Sequence, residues 1–548
     1  MASRSELRAA LAAAARPNLL ERLIAWRDPV RGLERMRARV AMAMATGGAY
    51  TGASRSRRSL SAWNPQDHSA NAAVLWDLPI LRERSRDLAR NNPLAAGALN
   101  TVVTRVVGTG LALKPAIDHE ALGLSREEAA AWQSNTLRRW EAWAESARNW
   151  CDVTRIQNFY GLQSVVMRST LEAGDIFPLL PLVDERGRPN ELAVKLVESE
   201  RVQNPHGEID KPTRAGGIET DEDGRPLRCY VLKEHPGSVY GRTLEGDWIP
   251  FFGQASGRRN VLHVFDPRRP GQSRGVPYLA PVIEPLKQLG RYTDAEIDAA
   301  VVSSFFTVFL TGSDGDGPDV LESAASGETQ ASDTRTGSNW NGELSSGLMI
   351  ETPDGKDVKF ADPSRPNQAF DPFVQAVLRQ VGVALEIPFE LLVKHFTSSY
   401  TAARAALLDF WLFVRHRRDW MAAMFCQPVY EEWLRLEVVT GRIAAPGFTA
   451  SALAQHAWSG AYWIGDSMGV LDQQREAAGI EKFLELGITT REKESMKFDG
   501  SDWEDNHEQL AREARARREA GLGASGPSQP QQGRRASDIN QDENDDET

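Results

Sequence analysis

Residues able to do chemistry are plentiful in this chain of 548 residues but rarely gathered. The nine histidines stand singly, at 68, 119, 206, 235, 263, 395, 416, 456 and 507, and at that dispersion each reads as a structural or surface residue rather than a metal ligand. Asp221, Glu222 and Asp223 fall together, but within TDEDGRP, an acid-and-glycine stretch between two strand-like runs that reads as a plain turn. No G-x-x-x-x-G-K-[ST], H-E-x-x-H, G-x-S-x-G or paired CxxC occurs. The sequence therefore predicts no catalytic residue, no metal site and no cofactor, and it argues against an enzyme. What stands out instead is a polar loop holding Lys394, His395, Thr397, Ser398 and Ser399, followed by a basic cluster of Arg415, His416, Arg417 and Arg418.

The cluster lies on one long helix, which the loop precedes. Ser398 and Ser399 offer an N-cap. Ala402, Ala406, Phe410 and Phe413 then recur at helical spacing, with Ala403, Leu407, Trp411 and Val414 beside them. The run 401–427 would span roughly 40 Å. Pro428 lacks a backbone donor and predicts a kink, with further helix to about residue 440 and a stop at Gly441. Upstream, 81–90 and 94–107 read as helices around the turn Asn91-Asn92-Pro93, and 111–115 as a strand. Residues 127–150 read as a helix carrying Trp132, Trp140, Trp143 and Trp150 towards a core. A helix over 156–172 turns at Gly174-Asp175 into a strand, and 192–265 are β-rich. Helices over 279–309 and 371–385 bracket a polar, glycine-rich insert with short strands at 348–351 and 358–360. Helices at 473–486, 490–497 (Thr489-Thr490 as candidate cap, with Lys493-Glu494 following) and 503–521 follow, and from 523 the composition is that of a disordered tail.

Composition sets the class. Apolar and charged fractions of 41% and 25% are those of a globular protein. The net charge of −11 argues against a general nucleic-acid coat, yet residues 1–60 hold twelve arginines against four acids, whereas the last dozen residues hold six acids and no base. Cys151, Cys229 and Cys426 are far apart, which excludes a disulfide framework and fits a reducing cytoplasm. No apolar run reaches the ~18 residues of a membrane span.

Four stretches in order resemble one known family. RERSRDLARNNPLAAGALNTVVTRVVGTGL, RPGQSRGVPYLAPVIEPLKQLGRYTDAEIDAA, SSYTAARAALLDFWLFVRHRRDW with QPVYEEWL, and WSGAYWIGDSMGVLDQQREAAGIEKFLELGITTREKESMKFDGSDWEDNHEQLAREARARREAGL are similar to the lambda-type portal proteins of tailed bacteriophages. The resemblance covers about 60–522. The chain departs from the family pattern at 465–472, where an Asp-Pro is frequent and this chain has no proline.

The resemblance implies an α+β, mostly helical portal fold. The segments would be a basic, partly disordered N-terminal arm (1–60), an α/β wing (61–278), a first stem helix (279–310), a small β-containing clip (311–366), a second stem helix (367–386), a tunnel loop (387–400), a long wing helix (401–445), a helical crown (446–522) and a disordered acidic tail (523–548). It further implies a homo-oligomeric ring of about twelve subunits at one capsid vertex of the virion, assembled in the host cytoplasm. Double-stranded DNA would pass through it without sequence recognition during packaging and ejection. The terminase large subunit and then a head-completion adaptor would dock on it, with the major capsid and scaffold proteins as further neighbours and no membrane. Lys394, His395, Thr397, Ser398 and Ser399 become the DNA-facing tunnel loop, and Arg415, Arg417 and Arg418 an inter-subunit cluster. Few bases near the channel suit sliding, because many phosphate contacts bind tightly whatever the sequence. The alternative is a head scaffolding protein, or a particle component that binds DNA or a membrane surface.

Overall fold

The computed structural model describes residues 26–31, 33–35, 37–38, 51–53, 57–239, 244–304, 308–311, 357–360, 369–396, 399–468, 473–498, 501 and 503–522. They divide into two units, Met1–Ser69 and Ala70–Thr548. In the first, Asp28 accepts the backbone N–H groups of Val30 and Arg31 (3.1 and 3.2 Å), Thr51–Ala53 forms a 3₁₀ turn, and Trp26 and Trp63 are exposed.

The second unit opens with a short helical stretch, Ala70–Val74, followed by a helix pair. Helix α1 (Leu78–Asn91) ends at Asn92, whose side chain caps α2 (Pro93–Val106) by accepting from Leu94 N and Ala95 N; Pro93 occupies the first turn, where a missing donor costs nothing. Strand β1 (Ala112–Pro115) follows, then α3 (Arg126–Ala144), opened by a reciprocal Ser125/Glu128 capping box. Helix α3 stops at Ala144, short of the helix expected through Trp150. Asn149 and Arg155 take left-handed backbone there, and the Arg155 guanidinium lies 3.9 Å from the Trp150 ring. Helix α4 (Phe159–Ala173) is capped by Asn158 and closed by Gly174 at φ 92°.

Two antiparallel sheets succeed it. β2 (Asp175–Leu179) lies between β3 (Lys195–Glu198) and β8 (Val264–Phe265); β4 (Arg214–Ala215), β5 (Ile218–Thr220), β6 (Pro226–Leu232) and β7 (Gly246–Pro250) form the second in sequence order. Phe177, Val197, Ile218, Cys229 and Phe251 belong to one small core. Asp221 accepts from the backbone N–H groups of Asp223 and Arg225, so the β5–β6 acids make the turn read from sequence.

Helix α5 (Ile283–Ser304) and α6 (Phe370–Ala384) meet through Tyr292 against Phe370 and Phe373. The helix expected to run to about 310 ends sooner, because Val308–Thr311 (β9) pairs with Asp357–Phe360 (β10). β10 was expected; the strand expected at 348–351 lies outside the described residues. Helix α7 (Phe389–Val393) interrupts the expected loop 387–400, and its Leu391 and Leu392 are buried. Helix α8 (Tyr400–Met421) passes through a π-helical turn, Ala422–Cys426, into α9 (Gln427–Val439). The break expected at Pro428 is thus a π-turn one step upstream: Gln427 N–H reaches back five residues to Ala422 O, accommodating the donor Pro428 lacks. Gly441 (φ 72°) ends the run as expected.

After α10 (Ala452–Trp458), β11 (Ala461–Ile464) pairs with β1, and α11 (Gln473–Glu485), α12 (Arg491–Phe498) and α13 (Trp503–Glu519) follow. The main core centres on Trp140, whose ring lies within 6 Å of Trp143, Phe159, Tyr430, Trp433 and Trp463. Trp140, Trp143 and Trp433 are fully buried, and truncating such a residue costs about 3–5 kcal/mol. The fold is α+β and mostly helical. Among the described residues no helix is long and apolar enough to cross a membrane.

Candidate functional site

The frame behind the loop is fixed by a buried ionic knot. Strand β2 opens with Asp175, fully inaccessible, immediately after Gly174. Gly174 lies so close to Gly275 that an added Cβ would sit 2.5 Å from the Gly275 carbonyl carbon, so neither position tolerates a side chain. That approach places Arg274 across Asp175: Nε donates to Oδ2 (2.6 Å) and Nη2 to Oδ1 (3.1 Å). Arg82 of α1 donates Nη2 to Oδ1 (2.8 Å), and Gly275 N–H donates to Oδ2 (3.1 Å). The remaining Arg274 donors go to the carbonyls of Ser199, Val202 and Gly216. Burial alone would raise the Asp175 pKa, but Arg274 and Arg82 outweigh it and hold the carboxyl well below its ordinary value. Burial pulls Arg82 down to about 10, against Asp175. The site joins α1, both sheets and the segment entering α5. Every oxygen of the buried Asp175 carboxylate has a partner within the chain, so the knot ties these elements together.

His263 completes the knot, stacked between Phe177 (4.3 Å) and Phe265 (4.1 Å), with Nε2 3.3 Å from Asp175 Oδ2. Burial, the larger effect, lowers its pKa despite the pull of Asp175, and Arg274 and Arg82 push the same way as burial. The folded state therefore holds this ring neutral where the unfolded chain, with a histidine pKa of about 6.5, would protonate it. Stability from His263 is complete above about pH 6.5 and is lost as pH falls. Asp175 adds a second loss below about pH 3.9, the unfolded carboxyl value. His263→Gln is expected to flatten the fall in denaturation midpoint between about pH 6.5 and 5; a slope equal to wild type would contradict the assignment.

The loop itself rises from rigid supports. Tyr278 OH donates to Leu385 O at the end of α6. Gly382 approaches Ile387 so closely that a Cβ would lie 2.7 Å from its carbonyl oxygen, and Ile387 N–H bonds back to Gly382 O (2.9 Å). Glu386 turns the chain at φ 53°, Ile387 is buried, and Arg379 lies 5.3 Å from the Phe389 ring. Helix α7 then ends at Lys394, itself left-handed at φ 53°, with His395 N–H on Glu390 O (3.1 Å). Lys394, His395 and Phe396 are exposed. Ser399 caps α8 through Ala402 N (3.4 Å), as read from sequence; Thr397 and Ser398 lie outside the described residues.

The basic cluster separates into different roles. Arg415 and His416 are exposed. Arg417 pairs with Asp266 of the same chain (3.0 Å) and lies over Phe413. Arg418 points inward: Nε donates to Val106 O (2.8 Å), Nη2 to Arg105 O (2.9 Å) and Nη1 to Asp466 O (2.6 Å), over the Trp411 ring. Burial lowers its pKa, with Asp466 opposing. The Asp466 carboxylate in turn accepts from Thr109 N and Oγ1 (2.9 and 2.6 Å). Arg418 thus clasps α8 to the end of α2 and to the segment after β11, within one subunit. Among the described residues no cluster of side chains could hold a metal ion.

Among the described residues, a helix–sheet frame with a buried ionic knot carries the exposed loop that ends α7 and precedes α8. A family model described as phage portal protein, lambda family, matches residues 56–418, and the chain belongs to that family. It is a portal protein, a component of the phage capsid vertex, in a family of structural proteins. Portal protein B of Escherichia phage lambda is 26% identical over 480 residues, covering 84% of this chain and 88% of the relative. The portal protein of Escherichia phage N15 is 25% identical over 486 residues, covering 84% and 89%. A solved chain from the virion of a native gene transfer agent particle aligns over 80% of this chain and 95% of its own, at 13% identity and a TM-score of 0.39.

Sequence reasoning missed the Asp175 knot. Its signals were present, in the Gly174-Asp175 turn and in the Ser-Arg-Gly of the second family stretch, but nothing local pairs the two.

Proposed function

We propose that this chain assembles into a closed ring of about twelve copies at one capsid vertex and forms the channel through which double-stranded DNA is packaged and later ejected. The observation that carries the reading is the exposed Lys394–Phe396 segment, mounted between α7 and α8 on a buried frame, in a chain of the portal family. Lys394 repeated around a ring offers a sparse belt of positive charge, with His395 beside it. Such a belt touches phosphates without the tight grip that many cations produce. The insert 311–366, bracketed by α5 and α6, serves as the docking site for the terminase large subunit and then for a head-completion adaptor. The major capsid and scaffold proteins surround the wing.

Arg415 is assigned to a subunit contact, which its exposure allows. It extends an exposed stripe on α8 that includes Leu408 and Leu412, 48% and 56% exposed. Arg417 and Arg418 support the subunit from inside.

Negative-stain microscopy of the purified chain should show rings with a central hole. The loop is tested in assembled heads. Because Leu391 and Leu392 are core residues, the informative deletion is 394–398, which spares α7 and the Ser399 cap. Heads with that deletion should keep rings of wild-type mass but hold less packaged DNA, and Lys394→Ala with His395→Ala should move in the same direction. Normal packaging and retention in the deletion would remove the loop from the channel.

A further inference from the structure

We infer that Arg259 and Arg435, with Arg258 behind them, form a binding site for one phosphate dianion, either free phosphate or a phosphate monoester. The site lies where the segment between β7 and β8 meets α9. All of its residues belong to one chain, so it exists with or without a ring. Its anchor is Glu432, whose side chain is 7% exposed. Phe252 and Arg259 face each other across an antiparallel bridge, and Gly257 (φ 62°) turns the chain between them. Arg259 N–H then donates to Glu432 Oε1 (2.9 Å). The other carboxylate oxygen has no hydrogen-bond partner. Arg435 Nε stands 3.6 Å from it and Arg258 Nε 3.9 Å, and both nitrogens are buried and unpartnered as well.

Charge is out of balance here. Among the described residues Glu432 is the only carboxylate in ion-pair contact with any of the three arginines. Glu431, one turn before Arg435, is engaged elsewhere, its Oε1 accepting from Gln427 Nε2 (3.2 Å). Three guanidiniums against one carboxylate leave a surplus of two positive charges. Of the side chains that hold it, Arg258 is only 15% exposed and Arg435 20%. Burial lowers the Arg258 pKa, with Glu432 opposing and Arg435 adding to the fall. Burial raises the Glu432 pKa in spite of all three arginines. Unbalanced charge held away from water is costly until a counter-ion joins it.

The free donors suit a phosphate. Arg258 commits its Nη groups within the chain, to Asn260 Oδ1 (3.4 Å) and to Leu180 O. Arg259 lies over the half-exposed Phe252 ring (5.0 Å), and among the described residues neither its guanidinium nor that of Arg435 has a hydrogen-bond acceptor. Guanidinium forks match phosphate oxygens in geometry, and the two charges of a phosphate dianion match the surplus. A carboxylate brings one charge, and the phosphodiesters of a duplex bring one each, spread along the backbone. A single dianion cancels both at one point.

The test is calorimetric titration of the full-length chain with inorganic phosphate at about pH 8, where phosphate groups are dianionic. Arg259→Ala, which keeps the backbone N–H on Glu432, and Arg435→Ala are each expected to weaken binding about tenfold or more. Glu432→Gln should act in the opposite direction and tighten it by about threefold or more. It keeps an acceptor for Arg259 N–H and removes the one opposing charge. A cluster that only holds the fold together would not tighten on that change. Circular dichroism confirms that each variant is folded. A nucleoside monophosphate separates the two sources: binding at least as tight as phosphate assigns a monoester, and no binding assigns the free ion. Wild type that binds no phosphate overturns the site, as does phosphate binding that neither arginine substitution weakens or that Glu432→Gln weakens. A short duplex that displaces phosphate at equal phosphate concentration makes the ligand nucleic acid and overturns the dianion.

Discussion

Replacing Asp175 with alanine is expected to unfold the helix–sheet unit at ordinary temperature or leave the protein insoluble. The carboxylate is fully inaccessible and accepts from Arg274, Arg82 and Gly275 N–H. Removing it strands two guanidiniums, at 3% and 7% side-chain exposure, where water cannot replace the lost partner. Breaking one member of a buried ion pair costs about 3–5 kcal/mol, a large part of the total stability of a domain. Asp175→Asn keeps the shape and one acceptor and should fall between wild type and alanine. Lost stability here does not mean that the intact pairs contribute that much. Converting Asp175, Arg82 and Arg274 together to apolar residues should recover part of the loss, because the stranded charges go with their partner. Soluble yield and thermal unfolding followed by circular dichroism read both effects. An alanine variant that melts at the wild-type temperature would show that the knot is not what holds α1, the sheets and the α5 entry together.

Legibility in the sequence followed the range of the forces involved. Caps and stops act within a turn, so Ser399 before α8, Thr490 before α12 (Lys493 N–H on its hydroxyl, 3.3 Å) and Gly441 after α9 were readable directly. Helical periodicity placed Trp140 and Trp143 in the core for the same reason. It failed where a distant partner overrides local pattern. Residues 308–311 continue an apolar helical rhythm, yet they pair as a strand with 357–360 across the insert. The loop before α8 looks polar because Lys394 and His395 dominate it, but Leu391 and Leu392 turn inward and wind the first half into α7. Arginines at 415, 417 and 418 are indistinguishable as a string. Their fates depend on Asp266 and on carbonyls at 105, 106 and 466, up to 313 residues away. The portal resemblance supplied the order of elements, not these contacts.

Arg418→Ala is the second large effect expected, and it separates the arginines that sequence grouped together. The guanidinium serves three backbone carbonyls, from Arg105, Val106 and Asp466, with Gly465 placed so that an added Cβ would lie 2.9 Å from its Cζ. Hydrogen bonds to a charged group contribute about 1.5–3 kcal/mol each, and they are not additive, so a loss of about 3 kcal/mol or more is expected. Lysine should not rescue, since a single ammonium cannot address three acceptors in the plane that the guanidinium fork reaches. The damage should be local as well as global. Hydrogen exchange ought to accelerate in β11 and in its partner β1, because the segment that follows β11 is held to α8 and α2 through Arg418 and through Asp466 on Thr109. Arg415→Ala, at an exposed position, should leave the unassembled subunit within about 0.5 kcal/mol of wild type and act only on the ring. Reversal of that pattern, with Arg415 destabilising the monomer and Arg418 silent in it, would mean that the clasp does not join the long helix to the C-terminal segment and that the division of labour within the cluster is wrong.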